Sequence, residues 1–591
     1  MDTTADTGEH SAATQTESSI NQTSTLARLS IADGMYLLVM LAAALMRFTS
    51  LGTIPLSPAE ASQAFAAWQL LQPDQTIIAI GSPAYFSLTS VLIAFFGSSD
   101  VVVRLVPAFF GLGLALLPWL MRDRLGQIGA LTAAVLFAVS PLFAASSRTV
   151  GGEAIALFAL LLAAIAGLKL SDGRSQNWLY ILTIAVGLGL ASAPLFYSGL
   201  LTLVIARWSQ RSISPEKSST AWPDRAALIK ATIVGLVVLI ALSTRFFTYL
   251  AGIGAAAQLF GDWLAQFNWQ GDLQTLIDPF LVLARYEVLL LPLGIFAILW
   301  AIWRNHPLGT LFTYWLLAAL ILILLQRGVL DNVLLVPLSG YLLLGLVTNH
   351  VLRHGMNRWT GAVTGIVLLL GAIILVNVAR FLRVSFTDDQ QIINTWMALL
   401  AVAAAAVAFY YFWAAHDKAI IEGSWLGIII LLLLYQWGTA WHLTHNGAND
   451  PRERWVLQAT DDELPLFLNT LEKISQRATN SDTDLELFSA VDSPVLQWYL
   501  RDFWQAQFGQ TLPPGAQYEV IISRADVNEP VLGSDYFGGD FGLLRTGTVP
   551  SPISSSPISD GMRWWLFHES ATALTEERII LWVRSDLAYN E

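Results

Sequence analysis

The chain has 591 residues, 55% of them hydrophobic and 13% charged, with a mean hydropathy of +0.56; that is about half the usual charge content and excludes a soluble globular protein. With no cysteine there is no disulfide, thiolate metal site or cysteine nucleophile. Residues 451–591 hold 10 Lys/Arg against 21 Asp/Glu and so carry −11 of the formal net charge of −12, an acidic tail without the basic footprint that nucleic acid requires.

Residues 1–30 are rich in Ser, Thr, Gln and Ala and read as a disordered cytoplasmic tail. They lack the positive n-region of a cleavable signal, so the first apolar run is expected to stay as a span. Apolar runs near 34–50, 105–121, 127–146, 153–170, 178–192, 194–207, 229–247, 287–303, 309–326, 328–348, 360–380, 393–415 and 424–443 predict a polytopic α-helical membrane domain of about 13 spans over 31–445. Pro194 is the natural break within 178–207, because proline removes a helical hydrogen bond. Ser82–Phe96 is short for a span and fits an interfacial or re-entrant helix. With that segment left out, the basic loops at Arg122, Lys169, Arg207–Lys230, Arg304, Arg353–Arg358 and Lys418 fall on one side, which the positive-inside rule makes the cytoplasm. The N-terminus is then cytoplasmic and the C-terminal domain extracytoplasmic, in a multi-pass protein of the cell membrane.

In this topology the first outer loop, 51–104, carries Glu60, and Arg104, Glu153, Arg148, Arg245 and Arg327 face the same side. Ser57-Pro58-Ala59-Glu60 is a capping box with proline at the first helical position, so Glu60 is either a helix cap or an acid available for chemistry. Glu153 follows Gly151-Gly152 at a helix start, where an acid also meets the macrodipole. Taken singly each arginine reads as a snorkelling anchor; clustered, they are what an anionic lipid head group would require.

The stretch Gly261–Gln270 is aromatic and amphipathic, in keeping with a membrane interface or with stacking on sugar rings. From 450 to 591 the pattern predicts a small soluble α/β domain. Its helices fall at 461–477 and 494–504, its strands at 485–491, 518–524, 563–569 and 578–584, and a Pro/Ser loop at 549–559. His442 and His445, close to Asp450, make half a metal site or an interfacial turn, and Asp482-Thr-Asp484 sits in a polar turn. No Walker A sequence is present.

Residues 47–170 resemble the polyprenyl-phosphate-sugar glycosyltransferases of the GT-C type, the group of family 39 protein mannosyltransferases and aminoarabinose transferases. The matching pieces run in order: Arg47, Leu51-Gly52, Ala59-Glu60-Ala61 where the family shows Asp-Glu-Ala, and Gly81-Ser-Pro-Ala-Tyr85 where it shows His-Pro-Pro-Leu-Tyr. Arg104-Leu105, Ser140-Pro-Leu142, Ser147-Arg148 and Glu153 complete them. The tail, with Trp498-Tyr-Leu-Arg-Asp502, is similar to a flippase-associated or uncharacterised prokaryotic branch. The chain departs from the family at Ala59 and Gly81, losing the first acid of the pair and the histidine.

The resemblance implies a GT-C-like bundle and sugar transfer from a polyprenyl-phosphate donor to a glycan, lipid or protein acceptor. The arginines Arg104, Arg148, Arg327 and Arg245 would hold the lipid phosphate, and Glu60, ahead of Glu153, would act as general base. No cofactor is required, although a divalent metal at the carboxylates is compatible. A non-catalytic membrane protein that binds lipid-linked glycan is the alternative.

Overall fold

A computed structural model describes residues 30–72, 81–173, 175–213, 224–268, 273–353, 357–383, 389–412, 417–513, 517–526, 534–547, 558–568 and 574–588. The tail expected over 1–30 lies almost wholly outside these residues. Each of the thirteen apolar windows is occupied by helix, from Ile31–Phe48 to Asp417–Trp441. Among the described residues eight helices are long and apolar enough to cross a membrane on their own. Leu273–Tyr286 and Leu290–Arg304, which meet at 96°, make a ninth span if counted as one. The chain is a polytopic membrane protein with a C-terminal sheet domain.

Local sequence explains where the helices start. Ser30 and Asp33 close the first helix with a reciprocal capping box, and Ser57 with Glu60 does the same for Pro58–Gln69. Ser82, Ser99 and Ser140 each accept from the backbone at the head of Pro83–Phe96, Asp100–Leu116 and Pro141–Ser146. Between Asn177–Leu190 and Pro194–Ile213 the chain turns at 191–193, and Pro194 begins the second helix, where its missing N–H costs nothing. The short segment after Gly81 is the 14-residue helix Pro83–Phe96, with Tyr85 and Phe86 buried and Phe95 and Phe96 exposed at its end.

The C-terminal domain is a six-stranded sheet in the order β1-β5-β6-β4-β2-β3: β1 Gln458–Thr460, β2 Leu487–Ser489, β3 Gln507–Phe508, β4 Val520–Arg524, β5 Tyr536–Gly547 and β6 Leu574–Arg584. β5 and β6 form a long antiparallel ribbon with a register shift between Gly542 and Leu544. Two expectations for this domain are corrected. Residues Arg563–Glu569, read as a strand, include the end of the helix Ile558–Phe567, which also takes over the last residues of the expected 549–559 loop. Its tryptophans explain why: Trp565 donates from Nε1 to the Ala284 carbonyl at 2.6 Å, and Trp564 lies between the Arg285 and Arg454 guanidiniums, so the segment docks on the bundle at helical spacing.

The domain is fastened to the first loop. The helix Pro494–Tyr499 packs on Pro58–Gln69, and one hydrophobic cluster runs from Leu56, Ala61 and Tyr85 through Val103 to Phe467, Trp498, Val520 and Leu581. Trp498 Nε1 and the Tyr499 hydroxyl donate to the two oxygens of Asp100, at 2.8 and 2.6 Å. Arg501 stacks on Trp498 at 3.8 Å and donates to Ser98, while Thr460 Oγ1 donates to the Leu56 carbonyl at 2.6 Å. The Trp498–Arg501 segment is thus a clamp on 51–104. Trp498→Ala is expected to cost about 3–5 kcal/mol, as for other buried tryptophans, and to open the loop to protease. A variant that melts and resists trypsin like the wild type would show that the clamp contributes nothing.

Candidate active site

The loop after the first span is shaped by its small residues. Ser50 adopts left-handed backbone (φ 52°), and Gly52 allows close approach, since a Cβ there would lie 2.5 Å from Val101 Cγ2. Beyond it the chain enters the capped helix that carries Glu60. Arg104 comes from one turn inside Asp100–Leu116, and Arg148 from the turn that follows Pro141–Ser146.

These three side chains line one pocket of about 550 Å³, a volume that includes the open solvent at its mouth. Ser50–Leu51, Ile54–Pro55, Ser57, Ala145 and Thr149 also line it, together with Leu443–Thr444, Ala448–Asn449, Trp455–Val456 and Gln458. Glu60 is the one carboxylate among these lining residues, and no histidine joins it. The lining set therefore does not present the ligands for a metal at the Glu60 carboxylate.

Glu60 is buried and fully engaged. Its Oε1 accepts from Arg104 Nε (3.0 Å) and the Val150 N–H (3.0 Å), and its Oε2 from Arg104 Nη2 (2.8 Å) and the Ser57 N–H (3.0 Å). Burial by itself would raise its pKa. The Arg104 charge and these four donors outweigh burial and hold the carboxyl below its ordinary value. Such a carboxylate contributes stability in full above the unfolded glutamate value of 4.5 and loses it as pH falls through the lower folded value. Thermal unfolding of the wild type is therefore expected to weaken in that acidic window, and Glu60→Gln to flatten that part of the profile. An unchanged profile would remove the pair from the account.

Arg104 is equally occupied, since its Nη1 also donates to the Leu51 and Ile54 carbonyls at 3.0 and 2.7 Å. Arg148 differs. Its Nη1 donates to the Met46, Arg47 and Thr49 carbonyls (3.2, 3.3 and 2.7 Å) and its Nη2 to that of Ser50 (3.2 Å), so it caps the C-terminus of the first span. Among the described residues it forms no ion pair. Burial, followed by the neighbouring Arg104 charge, lowers its pKa to about 10 and leaves it cationic at neutral pH. A buried guanidinium on a pocket wall without a carboxylate of its own attracts an anion.

The other predicted residues lie elsewhere. Glu153 is half-buried at the head of Glu153–Ser171, its Oε2 folded back against Gly151, where a Cβ would be only 2.1 Å away, and with Asp331 as an acidic neighbour. Arg245 adopts left-handed backbone (φ 48°) and donates to the Leu70 carbonyl. Arg327 follows Pro307–Leu325 and is half-buried. None of the three lines the pocket. Asp484 of the Asp482-Thr-Asp484 turn accepts from Gln505 at 2.6 Å.

Glu287 and Glu453 are among the buried carboxylates that escaped the sequence reading. Glu287, at the corner between Leu273–Tyr286 and Leu290–Arg304, accepts from Ser140 Oγ (2.6 Å), Gln436 Nε2 (2.8 Å) and the Tyr341 hydroxyl. Ser140 belongs to the Ser-Pro-Leu motif, which thereby has a packing role. Glu453 is gripped by Arg285, Tyr286, His442 and His568. Only His442 was visible in advance, because the other partners come from distant parts of the chain.

Residues 81–241 match the family model of dolichyl-phosphate-mannose-protein mannosyltransferases. The match overlaps most of the motif-bearing region, from the segment that opens on Gly81 through Glu153, and leaves the C-terminal domain outside. Among solved structures the chain is similar to ArnT from Cupriavidus metallidurans bound to undecaprenyl phosphate, at 15% identity and a TM-score of 0.49, covering 79% of this chain and 85% of ArnT. The apo state of the same protein gives 17% identity and a TM-score of 0.47, covering 80% and 85%. No curated protein matches the chain.

Proposed function

We propose that the protein is a membrane glycosyltransferase that moves a sugar from a polyprenyl-phosphate donor to an acceptor hydroxyl on the extracytoplasmic face of the cell membrane. The observation that carries this reading is Arg148, a buried cation that forms no ion pair among the described residues and shares a pocket with Arg104 and the single carboxylate Glu60. The GT-C match over 81–241 supports the class of donor.

In the proposed reaction the donor phosphate settles on Arg148 and competes with Glu60 for Arg104. A phosphate that draws off the Arg104 guanidinium relieves Glu60 of its strongest partner and raises its proton affinity. Glu60 then takes the proton of the acceptor hydroxyl, the acceptor oxygen bonds to the sugar anomeric carbon, and the bond from that carbon to the phosphate oxygen breaks with inversion. The electron pair leaves on the lipid phosphate, where the arginines stabilise it. Glu153, Arg245 and Arg327 are outside this site and take no step in it.

A second reading has its own support. All four contact positions of the Glu60 carboxylate are filled, and Ala59 stands where the GT-C family has its aspartate, as expected of a protein that binds lipid-linked glycan without turning it over. Transfer of radiolabelled sugar from polyprenyl-phosphate donors by purified protein separates the two: turnover supports the enzyme, and donor binding without turnover across glycan, lipid and protein acceptors supports the binder.

A further inference from the structure

We propose that His442, Glu453 and His568 form a site for one divalent transition-metal ion of the zinc type, with a fourth position open, at the seam between the last span and the C-terminal domain. The three residues come from separate elements. His442 opens the π-helical turn His442–Asn446 at the end of Asp417–Trp441, Glu453 lies on the strap leading to β1, and His568 follows Ile558–Phe567 in left-handed backbone (φ 57°). π-helical turns recur at functional sites, where they re-aim a side chain.

The geometry suits a cation. One ligand atom from each residue lies within 4.8 Å of the other two. Glu453 Oε1 is 3.2 Å from His442 Nε2 and 2.9 Å from His568 Nδ1, close to the ~3.3 Å edge of a tetrahedron with zinc-to-nitrogen and zinc-to-oxygen bonds of about 2 Å. The Glu453 and His568 side chains are 2% and 7% exposed, whereas His442 is 39% exposed and gives the site its access. Among the described residues His568 Nε2 has no hydrogen-bond partner despite its burial. The Tyr286 hydroxyl donates to Glu453 Oε2 and orients the carboxylate, as outer partners orient metal-bound carboxylates, while Arg285 donates to the ligand atoms themselves, Nη2 to Glu453 Oε1 at 3.0 Å and Nε to His568 Nδ1 at 3.2 Å, contacts that an entering cation must displace. Arg285 is wholly buried against Trp564, and among the described residues its Nη1 has no acceptor. A divalent cation beside this guanidinium and the single carboxylate Glu453 therefore calls for an anionic oxygen as fourth ligand, which would offset part of the remaining positive charge.

The position gives the site a consequence. Leu443, Thr444, Ala448, Asn449, Trp455 and Val456 line the Arg148 pocket, and they lie in or just beyond the stretch between His442 and Glu453. A metal held at these two residues and at His568 fixes that stretch and ties the domain helix to the bundle.

The test uses the full-length protein in detergent with any polyhistidine tag removed, stripped with chelator and titrated with Zn²⁺ and Co²⁺. The proposal expects one equivalent bound per chain and visible Co²⁺ absorption of a four- or five-coordinate nitrogen/oxygen site. His442→Gln and His568→Gln are each expected to weaken binding by more than the ~10- to 100-fold typical of losing an outer partner. His445→Gln, three residues from His442 but outside the triad, is expected to bind as the wild type does. Limited proteolysis supplies a second readout, in which metal protects the 558–568 helix and chelator exposes it. Wild-type protein that takes up no stoichiometric metal, or binding that survives both His442→Gln and His568→Gln, overturns the proposal whether or not either variant is less stable.

Discussion

Glu60→Gln is expected to produce two separable losses. The first is structural: removing the charge leaves Arg104 buried without its carboxylate, and breaking such a pair from one side costs about 3–5 kcal/mol. The second is catalytic: loss of a general base costs typically ~10²–10⁴ in rate. The double variant Glu60→Gln/Arg104→Leu distinguishes them, because replacing both members of a buried pair with groups of similar volume is often neutral or stabilising. The double variant, which also removes an arginine of the proposed phosphate site, is expected to recover much of the wild-type melting temperature while transfer stays lowered by ~10²-fold or more. Recovery of transfer along with stability would show that Glu60 serves only as the cap and anchor of the Pro58–Gln69 helix, with its four contacts to Arg104, Ser57 and Val150.

Arg148→Ala is expected to lower transfer by ~10²–10³, the loss seen when one preorganised charge-stabilising donor is removed, with weaker donor binding. Arg148 also closes the first span by donating to the carbonyls of Met46, Arg47, Thr49 and Ser50, so some stability goes with it. Arg148→Lys is the informative companion. A lysine keeps the charge but loses the planar fork that serves four carbonyls and a phosphate at once. It is expected to restore part of the donor binding and little of the cap, the reverse of what a purely structural arginine would show. Equal donor affinity in the wild type and Arg148→Ala would take the phosphate away from this pocket.

The elements were legible where the chemistry is local. Every apolar window became helix, and the Ser57–Glu60 capping box was readable from four adjacent residues. Arg104, Arg148, Arg245 and Arg327 were singled out together as outward-facing arginines for a lipid phosphate, and only the first two line the pocket with Glu60. What could not be read depends on distant pairing. Arg104 meets Glu60 across 44 residues, Glu287 meets Ser140 across 147, and His568 meets Glu453 across 115, and no pattern within one window reports such a contact. The tail shows the same limit. β5 contains Gly538, Gly539, Gly542 and Gly547, a composition that argues against strand until its long pairing with β6 is known. The run Arg563–Phe567 is apolar enough for either period, and its packing against Arg285 and Ala284 decides for helix.

The central claim is that the pocket between Arg148 and Glu60 takes the phosphate of a polyprenyl-linked sugar and turns it over. The measurement that tests it most directly is sugar transfer from a radiolabelled polyprenyl-phosphate donor by the purified full-length protein, run beside Arg148→Ala and the Glu60→Gln/Arg104→Leu variant, each first shown to be folded by its melting curve. The account predicts transfer by the wild type and transfer lowered by ~10²-fold or more in either folded variant. Transfer that persists at the wild-type level in both, or a wild type that neither binds nor transfers from any such donor, would contradict it.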